Sequence, residues 1–232
     1  MRTAIYTGTR NVYADMETAA KSLLYHRGAD RVIFLIEDDD FPADLPARVV
    51  TYNVSGQQWF PHDGPNFRTR WTYMTLMKMA VPLMFRGRVL VLDIDTIVDG
   101  SLDGLWSLPP APLYMAREVG RAEEYYNCGV ILMDCEAFRK DAERIIGMVN
   151  AQRLDFPEQD ATNRIMRGRI RQLPPQYNVS DWTVRPDVPG VITHYAAIRH
   201  WQDRPLWQRY AAMDWPGALA GPPGPGPGGA CR

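Results

Sequence analysis

An α/β domain built on a mostly parallel sheet is the architecture this sequence predicts, and three observations carry the prediction. Residues 88–98 (RVLVLDIDTIV) hold an apolar run that leads into two carboxylates, Asp93 and Asp95, and leave through the turn pair Asp99-Gly100. A continuous apolar run of this kind suits a strand buried on both faces, as parallel strands are. Residues 3–7 (TAIYT) and 31–36 (RVIFLI) are two further apolar strands with a helical pattern between them, a β-α-β opening. Strand and helix patterns then alternate to about residue 195, which favours helices packed on a sheet over an all-β fold.

The elements follow in order. Gly8 ends the first strand, and residues 9–11 form a polar loop. Residues 15–27 read as a helix with Met16, Ala19, Ala20, Leu23 and Leu24 on one face, Asp15 placed to cap it and Gly28 to end it. The acidic run 37–40 after the second strand reads as a solvated turn. Residues 49–54 read as a third strand. Residues 55–70 form a loop long enough to suggest function. Residues 71–84 read as a helix whose methionine stripe is core packing. After the acidic strand come a short strand at 113–116 and a polar, mobile stretch at 117–124. Residues 126–133 form a strand in which Gly129 marks a bulge or the close approach of a ligand. An amphipathic helix at 136–150, a short helix at 161–166, a rigid loop at 173–178 and a last strand at 191–195 complete the domain. Trp201, Trp207 and Trp215 are read as core packing rather than a membrane-facing surface. From residue 216 the proline and glycine content cannot pack a core, so the domain is expected to span 1–215 and a disordered tail 216–232.

At 232 residues the chain can bury one large core. At a net charge of −1 nothing suggests a polyanion-binding surface, so no nucleic-acid partner is expected. No apolar run approaches the roughly 18 residues of a membrane span, and the opening residues read as a first strand, so no secretory leader is expected. Cys128, Cys135 and Cys231 are odd in number and lack metal-site spacing. A reducing, cytoplasmic location is the expectation.

The acidic strand carries the chemistry. Residues two apart in a strand point to one face, so Asp93 and Asp95 are expected to project together at its carboxyl end. Open α/β sheets bind their ligands there. Two adjacent carboxylates repel unless a cation or a proton lies between them, and a hard divalent ion is the simplest resolution. The plainer alternative makes one aspartate a helix cap and leaves the other in solvent.

Five segments in order resemble glycosyltransferase family 8, retaining enzymes of the GT-A fold related to glycogenin and bacterial galactosyltransferases. They are the Asp-x-Asp strand at 89–98, Tyr126-Asn127-Cys128-Gly129-Val130, the Glu158-Gln159-Asp160 element within 157–163, Gln176-Tyr177-Asn178, and His194-Tyr195. The resemblance covers residues 3–207 and implies a metal-dependent hexosyltransferase that uses a nucleotide-sugar, with UDP as the expected nucleotide. Asp93, Asp95 and His194 would hold a divalent cation; oxygen ligands with one imidazole favour Mn²⁺, and Mg²⁺ also suits them. Gln159 would sit near the anomeric carbon, Glu158 would bind sugar hydroxyls, and Asp160 would share their catalytic element or cap the next helix. Asn127 and Gly129 are expected beside the donor sugar, and Thr7, Asn11 and Tyr13 beside its base, with Tyr13 stacking on it.

Three departures stand out. The loop 7–11 lacks the family's base-reading aspartate. Tyr73-Met74-Thr75-Leu76 lacks its arginine, so Arg70 or Lys78 would supply that cation. Arg199, His200 and Arg204 compete for the place of the lysine that meets the diphosphate. The acceptor, whether a glycan, a lipid-linked sugar or a protein, is left open, with 55–70 and 117–125 expected to border its site.

Rival readings fit less well. A haloacid-dehalogenase-type phosphatase would use Asp93 as nucleophile and Asp95 as acid. It wants the motif near the N-terminus and threonine or valine where Ile97 stands. A nucleotidyltransferase wants a glycine-rich basic loop after the first strand, whereas residues 7–10 hold one glycine and one arginine. A catalytically degenerate sugar-nucleotide-binding protein is opposed by the intact Asp93, Asp95 and His194.

Overall fold

The computed structural model describes residues 1–69, 72–121 and 124–223. In chain order the elements are β1 (Thr3–Thr7), α1 (Tyr13–Tyr25), β2 (Arg31–Ile36), β3 (Val49–Asn53), α2 (Met77–Met84), β4 (Arg88–Leu92), β5 (Thr96–Val98) and α3 (Asp103–Trp106). They continue as β6 (Leu113–Arg117), β7 (Tyr126–Asp134), α4 (Cys135–Ala151), α5 (Pro157–Ile165), β8 (Arg171–Gln172), β9 (Ile192–His194), α6 (Pro205–Ala211) and α7 (Trp215–Ala220). Seven strands form one sheet in the order β3-β2-β1-β4-β7-β6-β8, and β5 and β9 form a separate two-stranded sheet. β3, β2, β1 and β4 run parallel, and β7 lies antiparallel between β4 and β6. This is the mixed, mostly parallel α/β architecture that the sequence predicts.

The pleat explains why the apolar runs are continuous. Ile5, Ile33, Leu35, Val89, Val91 and Ile131 face one core, shared with Met77 and Val81 of α2 and Phe138 and Ile145 of α4. Their neighbours Ala4, Tyr6, Phe34, Leu90, Leu92 and Val130 face a second core, shared with Met16, Leu23 and Leu24 of α1. Each strand residue thus meets a helix whichever way it points. Trp207 packs in a third, smaller cluster with Ile97, Tyr195 and Tyr210, as core.

The structure differs from the sequence reading at several places that matter for the site. The expected strand over 88–98 is two strands in two sheets. β4 ends at Leu92, and Asp93, Ile94 and Asp95 turn the chain into β5. Backbone pairing holds that turn, because Asp93 N–H donates to Gly129 O at 2.8 Å and Tyr195 N–H to Asp95 O at 2.9 Å. α5 begins at Pro157, four residues before the expected start, so Glu158, Gln159 and Asp160 lie in its first turn. α1 begins at Tyr13, which puts Asp15 inside the helix, where its carboxylate accepts from Gln202. The helix expected over 71–84 is a 3₁₀ turn, Tyr73–Thr75, followed by α2, and Trp71 lies outside the described residues.

The stretch 117–124 is not a loose loop at its start. Val119 N–H donates to Trp182 O, and Val184 N–H to Arg117 O, which ties it to residues 182–184. The expected tail also starts too early: α7 covers its first residues, capped by Asp214, with Ala218 buried and Trp215 and Leu219 against the second core. Residues 224–232 of that tail, with Cys231, lie outside the described residues. No described helix is long and apolar enough to cross a membrane.

Candidate active site

Antiparallel pairing of β5 with β9 places Thr96 opposite His194, and this register delivers the histidine to the two aspartates. His194 Nε2 lies 3.4 Å from Asp95 Oδ1 and 3.8 Å from Asp93 Oδ2. One ligand atom from each of the three residues falls within 4.8 Å of the others. The imidazole is 3 % exposed and rests on the backbone of β7. A Cβ on Gly129 would come 2.0 Å from His194 Cε1, so this position must be glycine for the histidine to reach the aspartates. The expected close approach at Gly129 is therefore that of a protein side chain; the room beside Gly129 is filled by the imidazole.

Lys78, from α2, is 1 % exposed beneath the aspartates. Its ammonium donates to Asp93 Oδ1 at 2.8 Å and to Cys128 O at 3.2 Å, and lies 3.4 Å from Glu158 Oε1. Three acceptors match its three protons. Burial works to lower its pKa, but Asp93 and Glu158 outweigh it and hold Lys78 above the ordinary amine range. Burial, with Asp93 adding to it and Lys78 opposing, raises Glu158 above the usual carboxylate range. His194 also titrates higher than usual: burial alone would lower it, and the neighbouring Asp95 and Asp93 reverse the sign.

These groups open onto a cavity of about 720 Å³. Asp93, Asp95, Glu118 and Glu158 supply carboxylates to its walls, and Asn127 and Gln159 supply amides. Val119 and the half-exposed Trp182 also line it. The chemistry on offer is a cluster of oxygen ligands and one imidazole beside neutral amides, suited to a cation and a polar, hydroxyl-rich ligand.

The family model for glycosyl transferase family 8 matches residues 48–203, more than half of the chain. This chain belongs to glycosyl transferase family 8. No curated protein matches its sequence. Among solved structures, the apo glycosyltransferase GlyE of Streptococcus pneumoniae TIGR4 is similar over 94 % of this chain at 20 % identity, with a TM-score of 0.71. The chain spans 62 % of the length of that GlyE structure. Galactosyltransferase LgtC, solved with donor and acceptor sugar analogues, is similar at 18 % identity, covering 94 % of this chain and all of LgtC, with a TM-score of 0.69. Mouse xyloside xylosyltransferase 1 is similar at 15 % identity over 85 % of this chain and 98 % of its own, with a TM-score of 0.63. These likenesses place the fold among GT-A glycosyltransferases.

In this family-8 chain the structure brings together Asp93, Asp95, His194, Lys78, Asn127, Glu158 and Gln159. It does not bring every expected residue to the cavity. Tyr13 is 2 % exposed, stacks on Phe41 at 4.7 Å and donates to Asp38, so its ring is committed to the protein rather than free for a base. Thr7 is the last residue of β1, and Asn11 sits in an exposed turn bonded to Thr9; neither lines the cavity. Asp160 is also withdrawn: its oxygens accept from Phe156 N–H at 2.9 Å and Tyr125 Oη at 2.6 Å, which pins the start of α5. Arg199, His200 and Arg204 are exposed just beyond Ala196 and Ala197, which do line the cavity. Arg70 lies outside the described residues.

The loop 55–69 serves the core instead of the cavity. Phe60 is buried, and Asn66 donates to Val149 O and Gln152 O near the end of α4. The acidic run 37–40 is likewise occupied, with Asp38 bonded to Tyr13 and Asp39 to Asn53.

Two residues of the site carried no role in the sequence reading. Asn178 is fully buried and bonds His194 Nδ1 at 3.0 Å. Glu118 sits immediately after β6, which is parallel to β4 and ends at the same sheet edge. That placement at a strand's carboxyl end is the signal that points to it.

Proposed function

We propose that this chain transfers a hexose from a nucleotide-sugar, with UDP as the nucleotide, to an acceptor while retaining the anomeric configuration. The observation that carries the proposal is the convergence of Asp93, Asp95 and His194 at a cavity that Glu158 and Gln159 also line. The donor set of two carboxylates and one imidazole fits a divalent cation, Mn²⁺ before Mg²⁺. Bound there, the cation would offset the charge on a diphosphate leaving group. Lys78 pairs with Asp93 and Glu158 and fixes the direction of both carboxyl groups. Gln159 presents a neutral amide, which can stabilise developing positive charge but is a poor nucleophile. Glu158 supports the sugar hydroxyls, and Asn127 stands beside them. Arg199, His200 and Arg204 remain the candidates for the one cation that meets the diphosphate.

The LgtC complex with donor and acceptor analogues supports a cavity that takes both sugars. An LgtC structure with an active-site glutamine replaced by glutamate supports a glutamine among the working residues. Free, buried Cys128 and Cys135 support a cytoplasmic, reducing location. The test is incubation with UDP-sugars and Mn²⁺, following UDP release and the anomeric proton of the product by NMR. Release without metal, no release with any donor, or a β product from an α donor would each sink the proposal.

A further inference from the structure

One oxygen of Glu118, Oε1, receives two amide groups: Asn127 Nδ2 at 3.1 Å and Gln159 Nε2 at 3.0 Å. An ionised carboxylate only accepts, so each amide must turn its NH₂ toward Glu118 and its oxygen away. For Gln159 this sends Oε1 to Cys128 N–H at 3.0 Å. For Asn127 it sends Oδ1 to Gly129 N–H at 2.8 Å and to Asn178 Nδ2 at 3.0 Å. Asn178 then has its own Oδ1 left for His194, whose Nδ1 lies 3.0 Å away and must donate. Reversing one amide would set two donors or two acceptors against each other in a buried site. The competing arrangement, a proton on Nε2 donating to Asp95 at 3.4 Å, would block the position a cation needs.

We infer that Glu118 is a positioning residue: with the Gly129 and Cys128 backbone N–H groups it fixes the Asn127 and Gln159 amides, and through Asn127 and Asn178 it supports a proton on Nδ1 of neutral His194, with Nε2 aimed at the space between Asp93 and Asp95. This rests on reading Asp93, Asp95 and His194 as a cation site. The relay joins residues from β7, β9, α5 and two loops, and its direction is set by groups of fixed polarity: Glu118 as acceptor, and the backbone N–H groups of Gly129 and Cys128 as donors.

The test is Mn²⁺ titrated into the full chain, with free ion read by its electron paramagnetic resonance signal. Glu118→Met removes the acceptor at similar length, and Glu118→Gln leaves an oxygen there without the charge. Direct hydrogen-bond partners of metal-bound histidines typically govern affinity by about 10- to 100-fold; Glu118 acts on that partner through Asn127, so Glu118→Met should weaken binding by about tenfold, the low end of that range. Glu118→Gln should stay within about threefold of wild type, because the two amides keep their acceptor. Wild-type protein that binds no Mn²⁺ would overturn the cation-site reading and this inference with it. Wild-type binding matched by Glu118→Met would overturn only the role of Glu118, and so would Glu118→Gln falling as far as Glu118→Met. If Glu118→Met does not fold, metal-free wild-type protein with neutral His194 decides: long-range proton–nitrogen NMR should show His194 protonated on Nδ1, and a proton on Nε2 overturns the inference.

Discussion

Replacing Lys78 with methionine tests the electrostatic design of the site at its base. The ammonium is enclosed, with Asp93 Oδ1, Glu158 Oε1 and Cys128 O as its partners. Methionine fills a similar volume but leaves two carboxylates and a carbonyl facing one another. Removing one partner of a buried ion pair typically costs about 3–5 kcal/mol. The side chain of Asp93 is 31 % exposed and that of Glu158 14 %, so water relieves part of the repulsion and the low end applies. For a chain of this length about 3 kcal/mol corresponds to a fall of roughly 6–12 °C in Tm. Glu158 already titrates high, from burial and the nearby Asp93. Without the lysine it should rise further, so lowering the pH to about 5 should recover part of the loss by protonating it. The assay is thermal unfolding of wild type and Lys78→Met in chelator across that pH range. A Tm change below about 2 °C, or a deficit that does not shrink on acidification, would refute the claim that Lys78 holds these carboxylates.

Three further outcomes follow from the same geometry. Asp95→Asn removes one ligand charge, and should abolish specific Mn²⁺ binding and cost several kcal/mol of transition-state stabilisation, visible as loss of UDP release; full turnover in chelator would contradict it. Gly129→Ala sets a methyl 2.0 Å from His194 Cε1, and should lower Tm by an overpacking cost of about 1–3 kcal/mol and displace the histidine; unchanged Tm with unchanged Mn²⁺ affinity would show that the ring is free to move. The third concerns pH. His194 titrates above its ordinary 6.5 in the fold, despite burial, because of Asp95 and Asp93. In metal-free protein its contribution to stability is therefore complete below about 6.5 and is lost as pH rises through the raised pKa. A bound cation needs the neutral ring, so Mn²⁺ affinity should climb over the same window; calorimetric titrations showing a flat pH profile would be inconsistent with His194 as a ligand.

Much of the scaffold was legible from local pattern. The apolar runs of β1, β2 and β4 are readable because a strand covered on both faces needs no polar residue, and that condition leaves its mark within a few positions. The motif order was readable for a similar reason: Asp93 and Asp95 are two apart, and His194 closes a strand. What local pattern could not supply was the partner of each side chain. Asp93 and Asp95 converge through a turn rather than a pleat, because Gly129 and Tyr195 pair with that turn from distant parts of the chain. Tyr13 is spent on Asp38 and Phe41, a pairing invisible until α1 is laid against the loop after β2. Glu118 lay in a stretch expected to border the acceptor site but had no role of its own until β6 was seen to end across β7 from β4, with the Asn127 and Gln159 amides directed at it. Lys78 could be named as a cation, but only burial made it a fixed counterion. Periodicity is encoded among near neighbours, whereas hydrogen-bond polarity and charge compensation in a buried site depend on which strand ends share an edge, and tertiary register alone settles that.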